Sequence, residues 1–250
     1  MKPLAFASLV LCFIIASVAG AQTRDSRAFS RRNTFTVFTE YSNHSSHILM
    51  GIAEDRRLAA LGASYARRLW SSRVGDLRYL AEVRPVLMES DPVAHTTVDI
   101  TLIAPPGPAS GFTFDTVPYP SCRPGTFQQT IQTPTQSYSY TSSITCGRRW
   151  TFAQGFSPVG LQYSFRPTHR IQPFVSSTAG YILSTRPIPV SNAGSFNFTF
   201  DFGTGIEFFH SATRSIQVEY RYHHISNHDT ANANPGIDNG VFKVAYAFGR

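Results

Sequence analysis

A strict alternation of apolar and polar residues along Ser195–Phe209 constrains the fold more than any other feature of the chain. Successive side chains of a β-strand point to opposite faces, so the alternation predicts a strand with two different faces. Residues of one face are apolar, namely Phe196, Phe198, Phe200, Phe202, Ile206 and Phe208, whereas Asn197, Thr199, Asp201 and Glu207 form the polar face. An apolar face of this size must contact either a protein core or lipid.

Eight segments of the chain carry such an alternation, and we predict a strand for each of them. They are Thr34–Tyr41, Leu58–Trp70, Leu77–Met88, about Phe152–Arg166, Gln172–Ser184, Ser195–Phe209, Ser215–Ser226 and Asp238–Phe248. Charged residues recur on the polar faces, for example Glu82 and Arg84. Alternation alone leaves two folds open. A soluble secreted β-sandwich has its apolar face inside, whereas a membrane barrel turns that face out to lipid.

The connections between the predicted strands favour the barrel. Short ones, SSRVGD, PTHRI and HSATR, alternate with the longer connections Ser42–Arg57, Glu89–Thr151, Thr185–Gly194 and Asn227–Ile237. Tight periplasmic turns and larger external loops are typical of outer-membrane barrels, whose strands span the bilayer with about 10 residues. We therefore predict an all-β fold, an eight-stranded antiparallel transmembrane β-barrel with a long external loop insertion at about residues 89–151.

The N-terminus has the features of a secretory signal peptide. Met1–Lys2 is a short positive start, Leu4–Val18 is apolar, and Ala19–Ala21 is a small-residue cleavage site. We expect residues 1–21 to be the signal and residues 22–250 the mature barrel, located in the bacterial outer membrane. Cys122 and Cys146 then remain in an oxidising compartment, where a disulfide is the simplest expectation and two free thiols the alternative.

Charge gives a weaker indication of the partners. Only 15% of the residues are charged, with a net charge of +7, and soluble domains usually have about 25% charged residues. A basic chain favours acidic partners such as nucleic acid or a phosphorylated lipid surface, or it is simply more soluble. With an outer-membrane location we expect no nucleic acid. Arg67, Arg68, Arg148 and Arg149 have two interpretations: they contact lipid phosphates, or they are ordinary interior and rim charges.

The stretch Tyr220–Gly240 carries the candidate chemistry. His224 and Ser226 lie two residues apart on one predicted strand, so their side chains point to the same side. Asp238 has the same phase as Phe242 on the next strand, and one loop joins the two strands. We therefore expect the three side chains to converge at the external end of the barrel, on its lipid-facing side. They have the roles of base, nucleophile and orienting acid. The alternative is that polar residues simply lie at strand ends in the headgroup region.

The motif HHISN followed by NPGID resembles the C-terminal signature of the PagL-type lipid A 3-O-deacylases, also described as acyloxyacyl hydrolase-like outer-membrane proteins. The resemblance implies an eight-stranded barrel that hydrolyses the 3-position ester of lipid A, without a cofactor or metal. It assigns His224 as base, Ser226 as nucleophile and Asp238 as acid. It places Asn227 and Asn234 near the oxyanion. The family's acid is typically Glu, so Asp238 is one methylene shorter.

Several alternatives stay open. A non-enzymatic small outer-membrane barrel that displays a binding or adhesive loop has the same strand pattern, and a homodimer is compatible with either function. His44 and His47 lack the neighbouring Cys or carboxylate spacing of a metal site. His228 and Asp229 follow the motif out of phase and are expected in the loop. His223 has the interior phase and is expected in a polar network inside the barrel.

Overall fold

The computed structural model describes residues 29–104 and 106–250. The signal peptide predicted at residues 1–21 lies outside these ranges and stays a prediction. The described residues form ten strands: β1 (Asn33–Ser42), β2 (Arg57–Ser71), β3 (Gly75–Ala104), β4 (Ala109–Thr116), β5 (Gly125–Gln132), β6 (Ser137–Phe165), β7 (Ile171–Ser184), β8 (Phe196–Ser211), β9 (Arg214–Ser226) and β10 (Ile237–Gly249). No helix in the described ranges has the length and apolar character needed to cross a membrane.

Eight of the strands close into an antiparallel barrel. β1 pairs with both β2 and β10, and the sheet continues from β10 through β9, β8 and β7 to β6. β3 pairs with β2 on one side and with β6 on the other, which joins the two ends of the sheet. The predicted fold class is confirmed, and the eight barrel strands coincide with the eight alternating segments.

The apolar face of the barrel wall points outward. Phe196, Phe198, Phe200 and Phe202 have 43%, 46%, 42% and 56% of their surface exposed, although they are large and apolar. The interior is filled instead with buried ion pairs: Glu82 accepts hydrogen bonds from Arg221 at 2.8 Å and Lys243 at 2.5 Å. Contact of these apolar side chains with water is unfavourable because of the hydrophobic effect, whereas contact with the hydrocarbon of a bilayer is favourable. The structure is therefore a lipid-facing barrel rather than a soluble sandwich.

The two ends of the barrel differ as the connection lengths predict. Turns of a few residues, 72–74, 166–170 and 212–213, lie at one end, and segments 43–56, 185–195 and 227–236 lie at the other. In outer-membrane barrels the short turns are periplasmic and the long segments are external. The β9–β10 connection, and with it the candidate site, is therefore at the external end.

The insertion at residues 89–151 is built largely of strands rather than an irregular loop. β3 and β6 continue beyond the barrel and stay paired as far as Ala104 and Ser137, with β4 and β5 added at the outer edges. The stretch Val98–Ile103 is part of β3. Threonine and serine lie on both faces of these strand extensions. Apolar and polar residues therefore do not alternate clearly in the sequence here. The predicted disulfide is present, with Cys122 and Cys146 joined.

A cluster of buried apolar side chains lies under the external segment 43–56, including Ala53, Leu87 and Ile237. Arg56, also fully buried, fixes this segment. Its guanidinium donates to the carbonyl oxygens of Pro118 and Pro120, both at 2.7 Å, and lies 3.3 Å from Asp91. Because these contacts anchor the segment to the barrel and to the β4–β5 connection, its backbone is held against the start of β10.

Candidate active site

The β9–β10 hairpin brings His224 and Asp238 together. They are direct partners in the antiparallel register, and both belong to the outward-facing set of their strands. The His224 Nδ1 atom lies 2.6 Å from Asp238 Oδ1. A carboxylate accepts hydrogen bonds, so Nδ1 carries a proton, and in the neutral imidazole Nε2 has the lone pair. His224 therefore has the hydrogen-bond arrangement of a general base.

Asp238 is held by more than the histidine. The backbone N–H groups of Leu49 and Met50 donate to Oδ2 at 2.7 and 2.9 Å, and the Tyr222 hydroxyl donates to Oδ1 at 2.7 Å. The residue is completely buried, although its phase faces lipid, because segment 43–56 covers it. Several donors around one buried carboxylate favour its charged form and fix its position.

These donors were not identified from the sequence. Tyr222 lies two residues before His224, in the same phase, so the sequence alone assigned its ring to the lipid face. Its ring does stack on His224, with centroids 6.3 Å apart and planes inclined by 10°. Its hydroxyl group could have identified it as a donor to Asp238, because the two residues have the same phase on neighbouring strands and a tyrosine hydroxyl can donate to a carboxylate. Leu49 and Met50 act through backbone groups and leave no side-chain signal.

Two glycines allow the close packing around the pair. A Cβ atom on Gly51 would lie 2.6 Å from the backbone nitrogen of Asp238, so segment 43–56 approaches β10 more closely than any other residue allows. Gly236, within the motif NPGID, has a φ of +60°. That conformation favours glycine, and a Cβ there would lie 3.2 Å from the His224 ring.

Ser226 is next to the pair but bonded elsewhere. Its hydroxyl donates to Asn234 Oδ1 at 3.0 Å and accepts from the backbone N–H of His228 at 3.1 Å. Within the described residues no hydrogen bond joins Ser226 to His224. Residues two apart on a strand are separated by about 7 Å along the backbone, so the two side chains are neighbours on one face without a direct bond.

The two asparagines have different positions. Asn234 Oδ1 accepts both the Ser226 hydroxyl and the backbone N–H of Asn227, the latter at 3.1 Å. Asn227 is 1% exposed and has the inward phase, and its side-chain amide donates to the Ala233 carbonyl at 2.7 Å. Asn234 therefore contacts the candidate nucleophile directly, whereas Asn227 orders the loop.

The other histidines and acids singled out in the sequence lie apart from this site. His223 points into the barrel, where its Nδ1 lies 2.6 Å from Asp201 Oδ1. His228 and Asp229 are exposed loop residues with positive φ angles of 53° and 58°. His44 lies 3.8 Å from Asp55, in the external segment. The described ranges contain no group of three or more His, Cys, Asp or Glu side chains that could hold a metal ion.

A groove of about 310 Å³ lies beside the site on the outer surface of the barrel. Tyr41, Ile48, Tyr220 and Phe242 give it apolar walls, and Ser42 and Ser46 are among its polar groups. Tyr220 and Gly240 are the next outward-facing residues after Tyr222 and Asp238 on their strands. The groove therefore leads from the lipid-facing wall to the histidine–aspartate pair.

Comparison with known proteins places part of the chain in a family. The alignment with the crystal structure of the outer membrane enzyme PagL covers 86% of this chain and 99% of that chain, with 14% sequence identity and a TM-score of 0.48. The alignment with the crystal structure of Neisserial surface protein A covers 87% of this chain and 97% of that chain, with 9% sequence identity and a TM-score of 0.40. Comparison with curated proteins gives no significant match. Residues 125–247 match the family PagL, described as lipid A 3-O-deacylase. The protein is located in the bacterial outer membrane, and its segment 125–247, which contains the candidate site, matches the PagL family.

Proposed function

We propose that the protein is an outer-membrane esterase that hydrolyses the 3-O-linked acyl chain of lipid A, with a triad of Ser226, His224 and Asp238. The PagL family match supports a lipid A 3-O-deacylase of the outer membrane. The observation that carries the triad is the 2.6 Å contact between His224 Nδ1 and the buried Asp238 carboxylate. It leaves Nε2 of His224 free on the side of the barrel that faces the outer leaflet.

In the proposed reaction, Nε2 of His224 takes the Ser226 hydroxyl proton as the oxygen attacks the ester carbonyl of the acyl chain. The tetrahedral intermediate collapses when the bond to the 3-hydroxyl oxygen of lipid A breaks, and that oxygen receives the proton from His224. Water, deprotonated by the same nitrogen, then attacks the acyl-serine. A 3-hydroxy fatty acid leaves and Ser226 regains its proton. Asp238 holds the imidazole and stabilises its positive charge.

Ser226 needs a rotamer change before this step. In the structure its hydroxyl is bonded to Asn234 and His228, and we propose that the substrate's ester displaces this arrangement. The backbone N–H of His228 and the side-chain amide of Asn234 are then the donors nearest to a developing oxyanion. Preorganised donors of this kind contribute to catalysis by about 10²–10³-fold each.

The position of the site suits a substrate that stays in the membrane. Lipid A lies in the external leaflet, and the groove beside the site opens on the lipid-facing wall. An acyl chain can enter along Tyr220 and Phe242 without leaving the hydrocarbon. Lateral entry avoids the free-energy cost of moving long apolar chains into water, about 0.8 kcal/mol for each CH₂ group.

Ser226→Ala tests the assignment. The variant and the wild type are folded in detergent and incubated with purified lipopolysaccharide, and the released 3-hydroxy fatty acid is measured by mass spectrometry. We expect release to fall by at least about 10³-fold, because the nucleophile is absent. Heat-modifiable migration shows that the barrel is folded, and Ser211→Ala at the short-turn end is the matched control. Full release by folded Ser226→Ala would disprove the assignment.

A further inference from the structure

The periplasmic end of the barrel has a strong excess of positive charge. Arginines with exposed side chains surround it: Arg32, Arg67, Arg73, Arg166, Arg170, Arg214 and Arg250. The acidic residues described at this end, Asp76 and Glu207, are completely buried. Glu207 is paired inside the barrel with Arg31 and Arg78. The surface that meets the periplasmic leaflet is therefore cationic.

Some of these arginines surround a groove on the lipid-facing wall. The groove has a volume of about 510 Å³ and is lined by Asn33, Phe35, Tyr65, Thr213, Gly249 and Arg250. Arg67 is the register partner of Asn33, and Arg214 is the register partner of Phe248. Arg67 and Arg214 are thus outward-facing and flank the groove from β2 and β9. Neither guanidinium forms an ion pair with a carboxylate of the described residues.

The floor of the groove is aromatic. The Phe35 ring lies 5.1 Å from the Tyr65 ring and 6.1 Å from the Phe248 ring. The Tyr65 hydroxyl donates to Asn33 Oδ1 at 2.8 Å, so the polar atoms gather at the same edge as the arginines. An apolar floor with cations and amides at one rim matches a lipid whose acyl chain lies along the rings and whose headgroup meets the rim.

We propose that this groove binds an anionic glycerophospholipid of the periplasmic leaflet. Its phosphate lies between Arg67 and Arg214, with Arg250 nearby, and one acyl chain packs on Phe35 and Tyr65. Two features support a lipid as the occupant. The groove is continuous with the lipid-facing wall, and the guanidinium groups of Arg67 and Arg214, which have no carboxylate partner among the described residues, are complementary to a phosphate. The site lies at the opposite end of the barrel from His224 and is independent of the proposed esterase activity.

Native mass spectrometry of the full chain in detergent tests the proposal. Phosphatidylglycerol and phosphatidylcholine with the same acyl chains are added to wild type, to Arg67→Gln/Arg214→Gln and to the control Arg73→Gln/Arg166→Gln. The control removes the same charge from the same end, in turns away from the groove. We expect the groove variant to bind phosphatidylglycerol about tenfold or more weakly. The control should bind it within about twofold of wild type, and phosphatidylcholine should bind weakly to all three.

Other results would overturn the proposal. Equal losses in both double variants would mean diffuse attraction to a basic surface, and equal binding of the two lipids would mean that the headgroup charge is not recognised. Loss of a protein dimer in the groove variant, with lipid binding unchanged, would mean that a second copy of the chain is the occupant. Heat-modifiable migration confirms that each variant is folded.

Discussion

Tyr222 and His224, neighbours on the outer face of β9, both bond to the same oxygen of Asp238, at 2.7 and 2.6 Å. Their rings are nearly parallel, with an angle of 10° between the planes. Tyr222 thus fixes both the acid and, by stacking, the base. It touches neither Ser226 nor the groove beside the site, which makes it a positioning residue in the proposed mechanism.

Tyr222→Phe is expected to lower kcat for lipid A by about tenfold while KM changes little. Loss of one hydrogen bond to a charged group costs about 1.5–3 kcal/mol, part of which appears as poorer orientation of His224. Initial rates of fatty-acid release over a range of substrate concentrations measure both constants. Tyr246→Phe, on the outward face of β10 and 44% exposed, is the matched control, because it lies away from the groove beside the site. Equal effects of the two substitutions would argue against a positioning role.

Asp238→Glu restores the acid typical of the family, yet we expect it to reduce activity here. Leu49 and Met50 of segment 43–56 already donate to Oδ2, and a Cβ on Gly51 would lie only 2.9 Å from Oδ1. The extra methylene must displace Leu49 and Met50 or push His224 away. We expect a loss of about 10–100-fold in kcat/KM, which corresponds to about 1.4–2.8 kcal/mol. Activity at or above the wild-type level would show that the covering segment does not fix the acid.

Gly51→Ala tests the covering segment from its own side. The added Cβ meets the Asp238 nitrogen at 2.6 Å, so the segment must move away and its hydrogen bonds to the carboxylate lengthen. We expect at least a tenfold loss of activity and faster proteolysis within residues 43–56, without loss of heat-modifiable migration. Gly125→Ala is the matched control, because its Cβ would meet no atom closer than 3.9 Å. An active, protease-resistant Gly51→Ala variant would contradict the contact.

Glu82→Gln tests whether the interior ion pairs stabilise the barrel. Glu82 is buried among Arg84, Arg221 and Lys243. Removal of its charge takes one carboxylate from these cations, which keep their contacts with Glu40 and Glu219, so we expect a loss of about 1.5–3 kcal/mol. We expect a lower urea midpoint in folding titrations followed by tryptophan fluorescence and heat-modifiable migration. Asp115→Asn, at an exposed position paired with His95, should leave the midpoint unchanged. An unchanged midpoint for Glu82→Gln would disprove the stabilising role.

The sequence by itself determined the eight barrel strands, their two faces and the meeting of His224 with Asp238. Side-chain direction in a strand has a period of two residues, so phase along β9 and β10 is a local property that can be read without knowing the fold. The same property predicted that His223 points inward and that Phe196–Phe208 points out. It also marked Arg67 as a residue with two interpretations, one of them lipid contact.

Only the tertiary structure decided what surrounds these residues. Pairing of β1 with β10 brings segment 43–56 over Asp238, almost 190 residues away along the chain, and Arg56 fixes it there through carbonyl oxygens that any sequence would supply. Contacts of this kind depend on how distant strands pair and on backbone groups. Neither leaves a periodic signal in the sequence, whereas the alternation of Phe196–Phe208 does.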